Sequence, residues 1–261
     1  MELKNKSALI TGSTSGIGQG IAFALAAQGV NIMLNGFGDA EEIEKQRRAM
    51  ETEYGVTVLY SNADMTKPEE IRAMCEVAVA EFGGVDILVN NAGIQHVSPI
   101  DEFPEDKWNA IIDISLNSNF HTLKALVPSM KAKGWGRIIN TSSVHGLVAS
   151  PYKSAYNSAK HGVIGLTKTV ALELGEFGIT CNAICPGSVN TPLMHKQLPG
   201  LAKTYNMTEE EAIKNVLLKA HAIKQQVSIS DIADLVVFLC GDSAKLITGS
   251  SLTIDGGWTA Q

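Results

Sequence analysis

An apolar run, Ser7–Thr11, passes without a spacer into Gly12-Ser13-Thr14-Ser15-Gly16-Ile17-Gly18 and then into the alanine-rich stretch Gly18–Gln28. A strand that turns through glycines into a helix has few structural options. The helix start leaves unpaired backbone N–H groups facing whatever lies above the turn, and those groups favour an anion. Gly12 permits a tight turn, Gly16 lets the backbone approach a pyrophosphate, and Gly18 permits close packing of helix on strand. With Thr14, Ser15 and Ile17 between them, these residues predict a dinucleotide-binding turn.

The rest of the chain repeats the alternation. β-rich runs at Val30–Asn35, Val56–Asn62, Ile87–Asn90, Arg137–Ser143, Thr180–Cys185 and Ser251–Ile254 are interleaved with helical patterns. Those patterns cover Ala40–Tyr54, Ile71–Phe82, Pro104–Lys133, Ala155–Phe177 and Ser230–Leu239. This order predicts a parallel sheet covered on both faces. Seven strands with intervening helices predict a doubly wound, Rossmann-type α/β fold. At 261 residues, with 45% hydrophobic and 18% charged side chains, the chain reads as one globular domain over 1–261. Residues 192–224 form a helical insertion before the final helix–strand unit, suitably placed for a substrate lid.

A net charge of −6 argues against nucleic acid and anionic membranes as main partners. Cys75, Cys181, Cys185 and Cys240 lie in apolar stretches, and Cys181 and Cys185 do not form a CxxC pair. Buried free thiols are expected, rather than disulfides or a metal site. The opening Met-Glu-Leu-Lys-Asn-Lys has no signal-like character, and no apolar run approaches the ~20 residues needed to cross a bilayer. The expected location is the cytoplasm.

Tyr156 and Lys160 stand four apart in Ser-Ala-Tyr156-Asn-Ser-Ala-Lys160. That spacing stacks them on one helix face. A cation beside a phenol lowers its pKa from ~10 and suits it to proton transfer on a substrate oxygen. The same spacing also describes an ordinary helix edge with a solvated lysine. After the second strand, Asn35-Gly36-Phe37-Gly38-Asp39 offers no Arg or Lys for a 2′-phosphate, and neither does Ser13-Thr14-Ser15. NAD is therefore the expected cofactor. Asp39 has two readings, a ligand of ribose hydroxyls or a cap for the helix beginning near Ala40.

Further motifs follow in order: Asn90-Asn91-Ala92-Gly93, Asn140-Thr-Ser-Ser143, Pro186-Gly187 and Asp255-Gly256-Gly257. In order and spacing, and over essentially its full length, the chain resembles the short-chain dehydrogenases/reductases. The resemblance implies that Tyr156 transfers the proton, that Lys160 lowers its pKa and binds the nicotinamide ribose, and that Ser143 holds the substrate oxygen. It implies that Asn91, Ala92 and Gly93 line the adenosine ribose side, with Phe37, Asp64 and Met65 towards the adenine. Pro186, Gly187, Val189 and Thr191 would position the nicotinamide. Asp64 and Thr191 have equally good structural roles, as a turn residue and a helix cap. One departure stands out. Seven residues beyond Trp108, where the family usually carries an asparagine that anchors a relay water, this chain has Ser115. Asn117 is two positions on and would point elsewhere on a regular helix.

Within the family the chain is similar to bacterial enzymes acting on D-3-hydroxybutyrate. The segments carrying this are Gly93-Ile-Gln95-His-Val-Ser-Pro, Ser143-Val-His145-Gly-Leu-Val-Ala-Ser, Lys153, Gln197 and Gly-Gly-Trp258-Thr-Ala-Gln261. The resemblance implies that Gln95, His145, Lys153 and Gln197 hold a carboxylate and that Trp258 helps close the pocket. Singly, each has an ordinary alternative as a solvated loop, turn, helix or core residue. Together they fall on loops beyond strands 4 to 7, where such sheets form their ligand crevice. The expected activity is NAD-dependent oxidation of D-3-hydroxybutyrate to acetoacetate. A 3-oxoacyl thioester reductase using NADPH shares the core motifs but gives Lys153 and the glutamines no clear purpose. A non-catalytic dinucleotide-sensing module is suggested by Ser115 and opposed by Ser143, Tyr156 and Lys160. By resemblance the assembly is a homotetramer.

Overall fold

Four strands are buried at every position: β1 (Ser7–Ile10), β4 (Ile87–Asn90), β5 (Gly136–Thr141) and β6 (Ile179–Pro186). Continuous burial is the mark of parallel strands covered on both faces. In the computed structural model, which describes residues 3–260 apart from the side chains of Leu193, Lys196, Gln197 and Thr204, these strands join three others. They are β2 (Asn31–Asn35), β3 (Val58–Ser61) and β7 (Ser251–Ile254). The sheet runs β3-β2-β1-β4-β5-β6-β7 with every pair parallel. The expected seven-stranded doubly wound architecture is therefore present. Strand order reverses between β1 and β4, which opens a crevice at their carboxyl ends.

Alternation along β1 divides the core. Ala8 and Ile10 face α1 (Gly16–Ala26), α2 (Ala40–Tyr54) and a late helix, Ile229–Cys240, through Ile21, Leu25, Met50, Ile232 and Val236. Leu9 faces the opposite layer, α3 (Pro68–Phe82) and two long helices over Ser118–Lys133 and Ser154–Leu174, through Ile71, Met74, Leu126 and Leu174. A polar network ties the second layer to the sheet. Asn90 Nδ2 donates to Asn140 Oδ1 (2.9 Å), Thr122 Oγ1 to Asn90 Oδ1 (2.7 Å), and Asn140 Nδ2 to Thr167 Oγ1 (2.9 Å). Each buried amide thereby finds a partner, which fixes helices and strands in one register.

Two expectations need correction. The first helix begins at Gly16, two residues before the expected start, so the last two glycines of the turn belong to it. The pattern over Pro104–Lys133 is not one helix. It is α4 (Glu105–Ile112), a π-helical turn (Asp113–Asn117) and α5 (Ser118–Lys133). At the junction Ser118 Oγ donates to Ile114 O (2.6 Å), the side chain engaging the carbonyl one turn back. The helix over Ser154–Leu174 is α6.

The insertion contains α7 (Pro192–Tyr205), α8 (Glu209–Ala212) and a second π-helical turn (Ile213–Leu217), before α9 (Ile229–Cys240). It packs around its own apolar cluster of Leu198, Ala202 and Ala212 with Met194, Leu201 and Ile213. A parallel bridge between Val189 and Val227 closes its base, with Val227 N donating to Ser188 O (2.8 Å).

Candidate active site

At the switch point the ends of β1 and β4 are laced together. Thr11 Oγ1 accepts from Asn91 N (2.9 Å) and Ala92 N (3.0 Å), while Asn91 Nδ2 donates to Thr11 O and Gly12 O (3.0 Å each). A Cβ on Gly12 would lie 2.9 Å from Ala92 Cα, and one on Gly18 would lie 2.5 Å from Asn91 Nδ2. Gly16 meets only Thr191, at 3.9 Å, but has φ +58°, so its requirement is conformational. Asn35 Oδ1 accepts from Gly12 N (3.3 Å), and Thr14 Oγ1 donates to Phe37 O (2.8 Å).

The cleft above this turn is lined by Ser15, Ile17, Phe37, Asp64, Met65 and Gly93, and further along by Pro186, Gly187, Val189 and Thr191. A long cleft with glycine walls at a helix N-terminus fits a dinucleotide. Among the described residues Lys160 is the one cation lining it. Asp39 does not line it, and its carboxylate accepts from Glu41 N and Glu42 N (3.0 Å each) as the cap of α2. Asp64 accepts from Thr66 N and Oγ1, and these bonds hold its carboxyl below the ordinary range. Thr191 caps α7 by accepting from Met194 N (3.2 Å). Both structural roles are thus filled by side chains that also border the cleft.

Deeper in, β5 ends against α6. Lys160 Nζ donates to Thr141 O (2.7 Å), and Ser142 Oγ donates to Lys160 O (2.9 Å). Burial pushes the Lys160 ammonium down to about 8. Its Nζ stands 5.5 Å from the Tyr156 ring centroid. The Tyr156 phenol departs from the expectation. Desolvation raises its pKa, with the Ser143 hydroxyl opposing. Loss of water on burial sets the direction of the shift. Ser143 Oγ accepts from His145 N (3.2 Å), which leaves its proton available to donate.

Ser115 lies in the π-helical turn, 1% exposed, and its Oγ has no hydrogen-bond partner among the described residues. A Cβ built on Gly93 would lie 3.6 Å from both Ser115 Oγ and Lys160 Nζ, so the two polar atoms border one small space. Asn117 is exposed and donates to Asp113 Oδ1 (2.7 Å).

A second cluster adjoins Tyr156. Lys153 Nζ lies 3.3 Å from His145 Nε2. Burial, reinforced by the Lys153 charge, holds the His145 imidazole down to about 4. The ring is therefore neutral at ordinary pH and Nε2 accepts from the ammonium. Burial also lowers Lys153. The His145 ring stands edge-on to Tyr156 (6.1 Å) and to Trp258 (5.3 Å). Neither Lys153 nor Lys160 forms an ion pair among the described residues. Gln95 lines the main cleft with Ser143 and Tyr156. The Gln197 side chain lies outside the described residues.

Two site residues escape sequence reasoning. Asn35 reads as the end of a strand, yet its amide bridges the glycine turn and Ala63 O (3.0 Å). His221, one of two histidines in a Lys- and Ala-rich insertion, is 1% exposed and packs on Trp258 (5.5 Å). No spacing marks it.

A family model described as enoyl-(acyl carrier protein) reductase matches residues 12–259. A D-beta-hydroxybutyrate dehydrogenase of Rhizobium meliloti is 54% identical over 98% of this chain and 99% of its own. One from Cupriavidus necator is 51% identical over 99% and 100%. A 3-oxoacyl-[acyl-carrier-protein] reductase of Staphylococcus epidermidis is 36% identical over 97% of this chain and 98% of its own. The crystal structure of an actinorhodin polyketide ketoreductase variant with NADPH superposes with a TM-score of 0.91, at 32% identity over 98% of both chains.

The depressed imidazole has a consequence for stability. Between the ordinary value of 6.5 and about 4, His145 binds fewer protons folded than unfolded. Its contribution is complete above pH 6.5 and is lost as pH falls towards 4. Melting temperatures across that window should fall less steeply for His145→Gln than for the unmodified protein. Parallel curves would refute the assignment.

Proposed function

From a chain that belongs to the short-chain dehydrogenase/reductase family, and so binds a nicotinamide dinucleotide, we propose NAD-dependent oxidation of D-3-hydroxybutyrate to acetoacetate. The observation that carries the substrate is the Lys153–His145 pair beside Tyr156. A half-buried cation, 3.3 Å from a neutral imidazole and without a carboxylate partner among the described residues, suits a small carboxylate. The two hydroxybutyrate dehydrogenases more than 50% identical to this chain support the same substrate. NAD is favoured because Lys160 is the one cation lining the cleft among the described residues, while Asp39 is engaged as a helix cap.

Lys153, steadied by His145 Nε2, holds the carboxylate with Gln95, and Trp258 closes that end. This anchoring presents the 3-hydroxyl to Ser143 and Tyr156. Ser143 holds the oxygen in both states, since its hydroxyl donates and accepts. Tyr156 takes the hydroxyl proton as the C3–H bond breaks; a nicotinamide bound in the cleft would supply the acceptor for the hydride. Lys160 favours the phenolate that this transfer needs, against the desolvation that raises the phenol. Ser115 Oγ and Lys160 Nζ hold a water between them for the onward proton. The insertion serves as the lid. The protein works in the cytoplasm as a homotetramer, with exposed Phe120 of α5 and Leu172 of α6 offering apolar contact.

The deciding experiment follows reduced-cofactor absorbance with each isomer of 3-hydroxybutyrate and with NAD or NADP. NAD reduction with the D isomer is expected. Turnover of an acetoacetyl thioester with NADPH, and none of the hydroxy acid, would instead favour a 3-oxoacyl reductase. Lys153→Ala should raise the KM for the acid about tenfold or more, the scale of one charge-assisted hydrogen bond. An unchanged KM removes Lys153 from the carboxylate site. Ser115→Ala should slow turnover more than Ser115→Asn, which retains a water-binding group, and the reverse order would exclude the water anchor.

A further inference from the structure

The insertion rejoins the body of the fold through His221, a buried imidazole with no part in the scheme above. Three segments close on its ring. Beyond β6, Ser188 N donates to His221 Nε2 (3.3 Å), and a Cβ on Gly187 would lie 2.8 Å from Cε1. Beyond β7, a Cβ on Gly256 would lie 2.9 Å from Nδ1, while the Trp258 ring packs at 5.5 Å with a 44° tilt. From the insertion itself, Ala222 N and Ile223 N both donate to Gly256 O (2.7 and 2.9 Å). The two glycines thus leave a slot that the imidazole fills.

Because Ser188 donates to Nε2, the ring is neutral with its proton on Nδ1. That lone pair accepts from the Ser188 N–H, on the turn that ends the cofactor cleft. Trp258 stands on a short 3-10 turn, between His221 on one side and His145 at 5.3 Å on the other. An indole on so short a support depends on ring contacts for its position.

We propose that His221 is a positioning residue with two separable effects: its Nε2 fixes the Pro186–Ser188 turn against the nicotinamide, and its ring face backs Trp258 and sets the wall of the acid site. The second effect rests on the substrate reading above, and the first does not.

Two substitutions separate them. His221→Gln keeps an acceptor near Nε2 and removes the ring, whereas His221→Phe keeps a ring and removes the acceptor. The Gln variant should raise the KM for D-3-hydroxybutyrate about five- to tenfold while the Kd for NADH, read by protein fluorescence, stays within about twofold. The Phe variant should show the opposite split. Equal shifts of both constants in both variants, tracking a common fall in Tm, would reduce His221 to a structural residue and overturn the proposal, as would no shift in either. Should the unmodified protein not oxidise D-3-hydroxybutyrate, the substrate reading fails by itself. The NADH arm then still decides, and an unchanged Kd in His221→Phe overturns the role.

Discussion

Removing an ammonium from water costs several kcal/mol, and in this fold the Lys160 ammonium is met chiefly by one carbonyl oxygen, Thr141 O at 2.7 Å. The surroundings are shaped by that requirement. β5 must end with Thr141 turned towards α6, and Ser142 must reach back to the Lys160 carbonyl. Gly146 must lack a side chain, because its Cβ would press on Ser142 Oγ and on Lys160 O. Ser143 and Tyr156 then face one another as a consequence of how their neighbours accommodate the lysine. A charge that weakens the fold thus organises the site.

The chain as a whole is acidic, at −6, yet Lys160 in the cleft and Lys153 in the adjoining cluster form no ion pair among the described residues. Some charges elsewhere are matched locally: Arg47 with Glu44 and Glu51, Lys133 with Asp86. Cations left unpaired beside the reacting groups raise the positive potential there. Neutral partners do the rest. His145, held uncharged, accepts from Lys153 without cancelling it.

Most of the framework is legible in the sequence because parallel strands buried on both faces appear as unbroken apolar runs, and β1, β4 and β6 lie within a residue of their expected bounds. The break at Asp113–Asn117 is not, since a widened turn leaves the apolar pattern intact on either side. Asp39 was ambiguous for a chemical reason: a carboxylate that can bind ribose can equally cap a helix. The sign of the Tyr156 shift depends on how much water the fold removes, which spacing does not carry. Lys153 and His145 stand out only through resemblance, and their meeting beside Tyr156 and Trp258 is a matter of tertiary structure. His221 gave no signal because its partners, Ser188 and Trp258, are more than thirty residues away on either side.

The lacing of Thr11 and Gly12 to Asn91 also sets an order of events. These bonds join residues 80 and 79 apart, and β1 has β2 and β4 as its two neighbours. Closing so long a loop costs chain entropy before the contact repays it. During synthesis the glycine turn therefore emerges before β4 and waits for it, with one flank of β1 unpaired and open to foreign strands. Dinucleotide binding by a nascent or refolding chain would mark a late event, because the turn is complete only once β4 has entered between β1 and β5.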